Sequence, residues 1–136
     1  ALAEQRLPRV EVVTADVREL DRDGFDRALV DAPCSGLGVL ARRPDLRWRA
    51  QPLPELQAEL LAAAAARVKP GGLVVYAVCT LNADENEAVV DGSGLEVVPL
   101  LEWPQYAHPT RPEFLLTLPN RDRTSGFFIA RLRRPF

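Results

Sequence analysis

The stretch from Leu53 to Val78 constrains the fold more than any other. Leu53, Leu56, Leu60, Leu61, Ala64 and Val68 fall at helical spacing, so a helix here carries an apolar face that needs a partner. Lys69, Pro70, Gly71 and Gly72 supply a basic last turn followed by helix breakers. Leu73 to Val78, the run LVVYAV, is then wholly apolar, the pattern of a strand buried in a sheet covered by helices.

Two further runs, Val10 to Asp16 and Asp26 to Asp31, are β-branched and apolar and end on an acid, which predicts two more buried parallel strands. The stretch from Ala32 to Arg49 is rich in Gly, Pro and Arg and reads as a loop; open α/β sheets bind their ligands in loops at the carboxyl ends of strands. Asn82 with Glu85 three residues on fits a capping arrangement for a short helix through Val90. Leu95 to Leu100, Phe114 to Leu118 and Phe127 to Leu132 read as strands. The polar turn Pro119 to Gly126 joins the last two into an antiparallel hairpin on the sheet edge. Strand, helix, strand, helix is the order of a doubly wound α/β sheet.

With 136 residues, 47% of them hydrophobic, the chain has the apolar content for one core and reads as one domain or a piece of one. Its first residue is Ala1 and it contains no methionine, which predicts a chain cut from something longer. No run approaches the roughly 20 apolar residues of a membrane-spanning helix, and no signal peptide is visible, so the expected location is cytoplasmic. Two cysteines and one histidine provide neither a disulfide framework nor the usual ligands of a structural zinc site. The formal net charge of −2 is the wrong sign for a chain that grips nucleic acid over its whole surface. Arginines are nevertheless grouped, at Arg42, Arg43, Arg47 and Arg49 and again at Arg131, Arg133 and Arg134, as solvated faces or as contacts to phosphate.

Each cysteine lies just past a predicted strand, Cys34 in DAPCSG and Cys79 in YAVCT. The carboxyl ends of parallel strands share one rim, so neighbouring strands would bring both thiols to one cleft; the plainer reading is two small buried side chains. Gly36 to Ala41 matches a dinucleotide-binding glycine pattern, but such a loop must open a helix directly after a strand. Four residues intervene here and Arg42-Arg43-Pro44 follows, which argues against a nicotinamide site.

The segments DAPCSGLGV from Asp31, RRPDLRW from Arg42, Leu56-Gln57, VKPGGLVVYAVCTL from Val68, ENE from Glu85 and GFFIARL from Gly126 resemble, in order and spacing, the Sun/Fmu family of RNA (cytosine-5) methyltransferases. The resemblance covers most of the chain. It implies the C-terminal portion of a Rossmann-like fold dependent on S-adenosylmethionine, with a mostly parallel sheet and an antiparallel hairpin at its edge. It further implies a single partial catalytic domain over residues 1–136, without the donor-binding glycine loop and the RNA-binding extension of the family.

Roles follow from the same resemblance. Cys79 matches the nucleophile that adds to C6 of the target cytosine, and Cys34 the cysteine that helps release the product. Asp31 matches an acid near the methyl donor and target base, and Asp16 an acid that contacts the donor's adenosine half. The implied cofactor is S-adenosylmethionine, the implied partner RNA, ribosomal RNA above all, and no metal is implied. Arg43, Asp45 and Arg47 are candidates for the RNA side of the pocket, and Trp48, Trp103 and Tyr106 for stacking on a base, with salt bridges and packing as the plain readings. Val78 stands where the family commonly has Thr and Ser125 where it has Asp. Two other readings stay open: a DNA cytosine-5 methyltransferase with Cys34 as nucleophile, and a non-catalytic RNA- or protein-binding fragment.

Overall fold

The computed structural model describes residues 10–136. Its sheet has five strands: β1 (Phe25–Asp31), β2 (Val68–Val78), β3 (Glu96–Val97), β4 (Leu115–Thr117) and β5 (Phe127–Arg133). The order is β1-β2-β5-β3, with β4 also on β5. β1 and β2 run parallel, and the crossover between them carries α1 (Leu46–Arg49) and α2 (Pro54–Arg67). β5 runs antiparallel to β2, and its other edge takes β4 near its start and β3 near its end. The result is an α/β fold on a mixed sheet, and β4 with β5 is the expected antiparallel hairpin.

Local chemistry explains the elements. α2 starts on Pro54, whose missing N–H is no loss in a first turn, with Glu55 beside it. It buries Gln57, Leu61, Ala64 and Ala65. It ends at Arg67, whose guanidinium donates to the carbonyl oxygens of Leu20 and Arg18 and so ties down the segment before β1. Along β5, Phe128, Ala130 and Leu132 are buried and their neighbours half-buried, the period-2 alternation of a sheet. Tyr76, Phe114 and Phe128 pack edge to face, with ring centroids 6.3 Å apart for Tyr76–Phe128 and 5.3 Å for Phe114–Phe128. This cluster, with Leu61, Val68, Val74 and Val78, forms the core.

Several boundaries differ from the sequence reading. Val10 to Asp16 is not a strand: no described strand pairs with it, and Val10, Val12 and Val13 are exposed. Apolar β-branched composition makes a strand only where a neighbour takes its N–H and C=O groups. β1 is likewise exposed over much of its length, Leu29 at 70%, because it is the outermost described strand. β2 begins at Val68 rather than Leu73, since Phe25 pairs with Val68 across an irregularity in the ladder. Of Leu95 to Leu100 only Glu96–Val97 is strand; Pro99 has no N–H with which to continue it. The predicted helix from Asn82 starts late, as α3 (Glu87–Asp91), after a turn. The polar turn after β4 contains a short helix, α4 (Pro119–Asp122), closed by Arg123 in the left-handed region. Among the described residues no helix is long and apolar enough to cross a membrane.

Candidate active site

Asp31 pairs with Ala77 at the end of the parallel ladder, and Ala32 N–H donates to the Ala77 carbonyl oxygen at 3.2 Å. The two chains therefore leave the sheet side by side on one rim, which brings Cys34 and Cys79 together with Sγ···Sγ 3.4 Å. Both are free thiols and half-buried. Burial pushes the Cys34 thiol up to about 12, and its hydrogen bond to Cys79 adds to the shift. Cys34 thus stays protonated at neutral pH, in hydrogen-bond contact with the Cys79 sulfur.

The loop after Cys34 turns at Gly36, with φ +72°, a conformation that costs glycine little. Gly38 N–H then donates to the Cys79 carbonyl oxygen at 3.0 Å. The glycines of the apparent dinucleotide pattern serve this turn and crossing, and no helix begins until Leu46.

A buried carboxylate meets the residues that follow both cysteines, Ser35 and Thr80. Glu85 is fully buried and does not cap a helix as its spacing with Asn82 suggests. Its Oε1 accepts from Ser35 N–H at 2.9 Å, Leu53 N–H at 3.1 Å and Gln57 Nε2 at 3.0 Å. Its Oε2 accepts from the Ser35 hydroxyl at 2.5 Å. Burial pushes its pKa up, but the hydrogen bonds from Ser35, Leu53 and Gln57 outweigh that and hold it below the ordinary carboxylate value. Sequence reasoning missed Ser35, Gln57 and Glu85 as site residues. They lie inside the matched segments, but nothing in their local pattern says that a carboxylate at 85 turns inward.

The predicted donor-side acids fare differently. Asp31 is exposed at the end of β1, and beside it lies a cleft of about 210 Å³ lined also by Val17, Leu29, Val30, Ala32, Leu60 and Ala64. Apolar walls with one carboxylate fit a ligand that is partly apolar and carries a positive charge. Asp16 instead holds Arg18, through its backbone N–H and its guanidinium, and this drives the carboxyl down to about 2.

The two arginine groups also part. Arg131 pairs with Glu102 and Arg133 with Glu96, while Arg134 donates to the carbonyl oxygens of Ala66 and Val68. These are internal ties. Arg43 pairs with Asp45, but among the described residues Arg42, Arg47, Arg49 and Arg123 have no carboxylate partner. Arg42 and Arg123 line a cleft of about 400 Å³ with Gly38, Ala41, Pro119, Thr124 and Ser125. Arg47 lies over Trp48, which is 79% exposed; Trp103 and Tyr106 are exposed around a separate 3-10 turn. Val78 is fully buried in the core, so the departure there fills the core with a methyl in place of a hydroxyl. The carbonyl of Ser125 accepts from the Thr117 hydroxyl at 2.7 Å.

Residues 2–133 match the family described as 16S rRNA methyltransferase RsmB/F. The chain belongs to that family. A putative methyltransferase of Mycobacterium tuberculosis is 43% identical over 92% of this chain and 30% of its own length. A probable ribosomal RNA small subunit methyltransferase B of Synechocystis is 47% identical over 80% of this chain and 27% of its own. Among solved structures, NSun6 from Pyrococcus horikoshii with SFG superposes with a TM-score of 0.76 at 31% identity, over 92% of this chain and 34% of that one. This RsmB/F-family chain thus spans between a quarter and a third of the length of these curated relatives.

Proposed function

We propose that the chain takes part in transfer of a methyl group from S-adenosylmethionine to C5 of a cytosine in RNA, ribosomal RNA being the substrate class, through a covalent bond between Cys79 and C6 of the base. The observation that carries this reading is the 3.4 Å approach of Cys34 and Cys79 at the ends of adjacent parallel strands. Carbon 5 of cytosine is a weak nucleophile. Addition of the Cys79 thiolate at C6 turns the ring into an enamine whose C5 attacks an electrophilic methyl. The C5 proton then leaves, and elimination of the thiolate restores the aromatic ring.

Two thiols with different duties suit this sequence. Cys79 forms and breaks the bond to carbon. Cys34, held protonated by burial, keeps a proton beside the departing Cys79 sulfur. The methyl donor supplies the electrophilic methyl as a sulfonium, and the cleft beside Asp31 has the apolar walls and single acid that such a cation needs. The relative solved with SFG, an S-adenosylmethionine analogue, supports a donor site in this fold. Arg42, Arg47, Arg49 and Arg123, free of carboxylate partners among the described residues, supply positive charge for RNA phosphates.

The test is covalent trapping. With S-adenosylmethionine and RNA carrying 5-fluorocytosine, the full-length protein should form an adduct that survives denaturing electrophoresis, because fluorine at C5 cannot leave as a proton does. Cys79→Ala should abolish the adduct while Cys34→Ala should leave or prolong it. The reverse pattern would assign the nucleophile to Cys34, and no adduct in either case would sink covalent catalysis here.

A further inference from the structure

We propose that Glu85 is a positioning residue for the cysteine pair: its one buried carboxylate ties the loop carrying Cys34 to the loop carrying Cys79 and so holds the two thiols at reacting distance. The inference rests on the reading of Cys34 and Cys79 as the catalytic pair.

Glu85 gathers three separate segments. Ser35, next to Cys34, donates both its N–H and its hydroxyl to the carboxylate at 2.9 and 2.5 Å. Thr80, next to Cys79, bonds the Ser35 hydroxyl at 2.7 Å and lies 3.4 Å from Oε2. The start of α2 contributes Leu53 N–H and the Gln57 amide, and that amide also donates to the Pro33 carbonyl oxygen at 2.8 Å. The main chain of Glu85 is fixed as well, since its carbonyl accepts from the buried Tyr76 hydroxyl at 2.7 Å. Asn86 reaches back to the Thr80 carbonyl oxygen at 3.1 Å.

The hydroxyls have one consistent direction. Ser35 has a single hydroxyl hydrogen, and a carboxylate can only accept it. Thr80 must therefore donate to Ser35, and Asn82 N–H, 3.3 Å from the Thr80 oxygen, fills the position left open on Thr80. Two of the links in this chain are the residues that directly follow the two cysteines.

Among the described residues no Lys or Arg contacts the carboxylate in this network. A buried charge without a counterion is costly unless its oxygens are saturated by donors, and an acceptor needed only to cap α3 would stand at the surface. Neutral Gln has the same length. Its oxygen can take the Oε1 position, facing the backbone donors, and its amide the Oε2 position, where the Ser35 hydroxyl can turn to accept and donate on to Thr80; only the long 3.4 Å contact from Asn82 Nδ2 is lost. Glu85→Gln therefore keeps the brace in shape, while Glu85→Ala removes it and strands Ser35 N–H, Leu53 N–H and one hydrogen of the Gln57 amide, whose other hydrogen keeps the Pro33 carbonyl.

The experiment reads thiol proximity without requiring methyl transfer. In a glutathione redox buffer, the Cys34 and Cys79 thiols reduce one oxidised glutathione to two reduced ones and join in one disulfide. The equilibrium gives the effective molarity of the pair, which reports how closely the fold holds the sulfurs. In the full-length protein we expect Glu85→Ala to lower that effective molarity by about tenfold or more, and Glu85→Gln to stay within about threefold of wild type. The core variant Leu132→Val should leave it unchanged despite lost stability. Ser35→Ala, which cuts only the link to the Cys34 loop, should lower it, and it decides the matter if Glu85→Ala does not fold. A wild-type value in folded Glu85→Ala, or in Ser35→Ala where the former is unfolded, overturns the brace. Failure of Cys79-dependent trapping on 5-fluorocytosine RNA would instead overturn the catalytic reading, leaving the thiol measurement intact.

Discussion

Gly126 donates its backbone N–H to the carbonyl oxygen of Gly38 at 2.7 Å, and Gly38 in turn donates to the carbonyl of Cys79 at 3.0 Å. Three chain segments thus cross at the cysteine loop with no side chain between them. A Cβ on Gly38 would fall inside van der Waals contact of the Gly126 carbonyl oxygen and only 2.9 Å from that of Cys79. Both neighbours are backbone, so neither can turn aside as a side chain would. Gly38→Ala should destabilise the protein by about 1–3 kcal/mol, the usual range for overpacking, and should slow adduct formation by displacing Cys79. Chemical denaturation checks the first effect and trapping kinetics the second; an unchanged unfolding midpoint would show that the crossing yields freely.

Sequence periodicity foretold much of this site. A helical pattern followed by LVVYAV predicts a crossover between parallel strands, which brings residues 34 and 79 to one rim if the strands are neighbours, as β1 and β2 are. Glu85 was not legible in the same way, since its partners Ser35, Leu53 and Gln57 stand 50, 32 and 28 residues away in the chain. Its spacing to Asn82 is the same whether the carboxylate caps a helix or turns inward. Val10 to Asp16 failed for the opposite reason, because a local pattern was present but no described strand pairs with it.

Cys34 should resist alkylation. Burial disfavours its thiolate and the bond to Cys79 stabilises its thiol, so the folded pKa is raised from 9.0 to about 12. The associated stability is fully present below the unfolded value and is lost as pH rises from about 9 through about 12. Iodoacetamide labelling with peptide mapping should leave Cys34 unmodified at about pH 8 in the folded protein and modify it once denatured. Rapid labelling of native Cys34 at that pH would contradict the burial argument.

Glu85 has the opposite sign. Burial raises its pKa, but the hydrogen bonds from Ser35, Leu53 and Gln57 outweigh that, and the folded value lies below 4.5. Its contribution to stability is therefore present above 4.5 and is lost as pH falls through the folded value. Glu85→Gln, which has no proton to take up, should show a shallower loss of stability on acidification than wild type. Denaturant midpoints measured across that acidic range decide it, and parallel curves for the two proteins would mean that Glu85 does not titrate on unfolding.

The arginine groups at 42–49 and 131–134 look alike in sequence but differ in what already neutralises them. Arg131 donates to Glu102 at 2.8 Å, so its charge is balanced within the fold. Arg42 has no carboxylate partner among the described residues and lines the cleft that Gly38 and Ser125 share. If RNA lies along this cleft, binding releases counterions from the phosphates that Arg42 and Arg123 meet. Each phosphate contact then adds about 0.7 to the slope of log affinity against log salt for a single strand. Arg42→Gln should reduce that slope by about this amount and weaken binding similarly across RNA sequences, whereas Arg131→Gln should leave the slope unchanged. Titrating RNA into the full-length protein at several salt concentrations provides the comparison. Equal slopes for Arg42→Gln and wild type would remove this cleft from the RNA path, and a drop in Arg131→Gln alone would move the path to the β5 face.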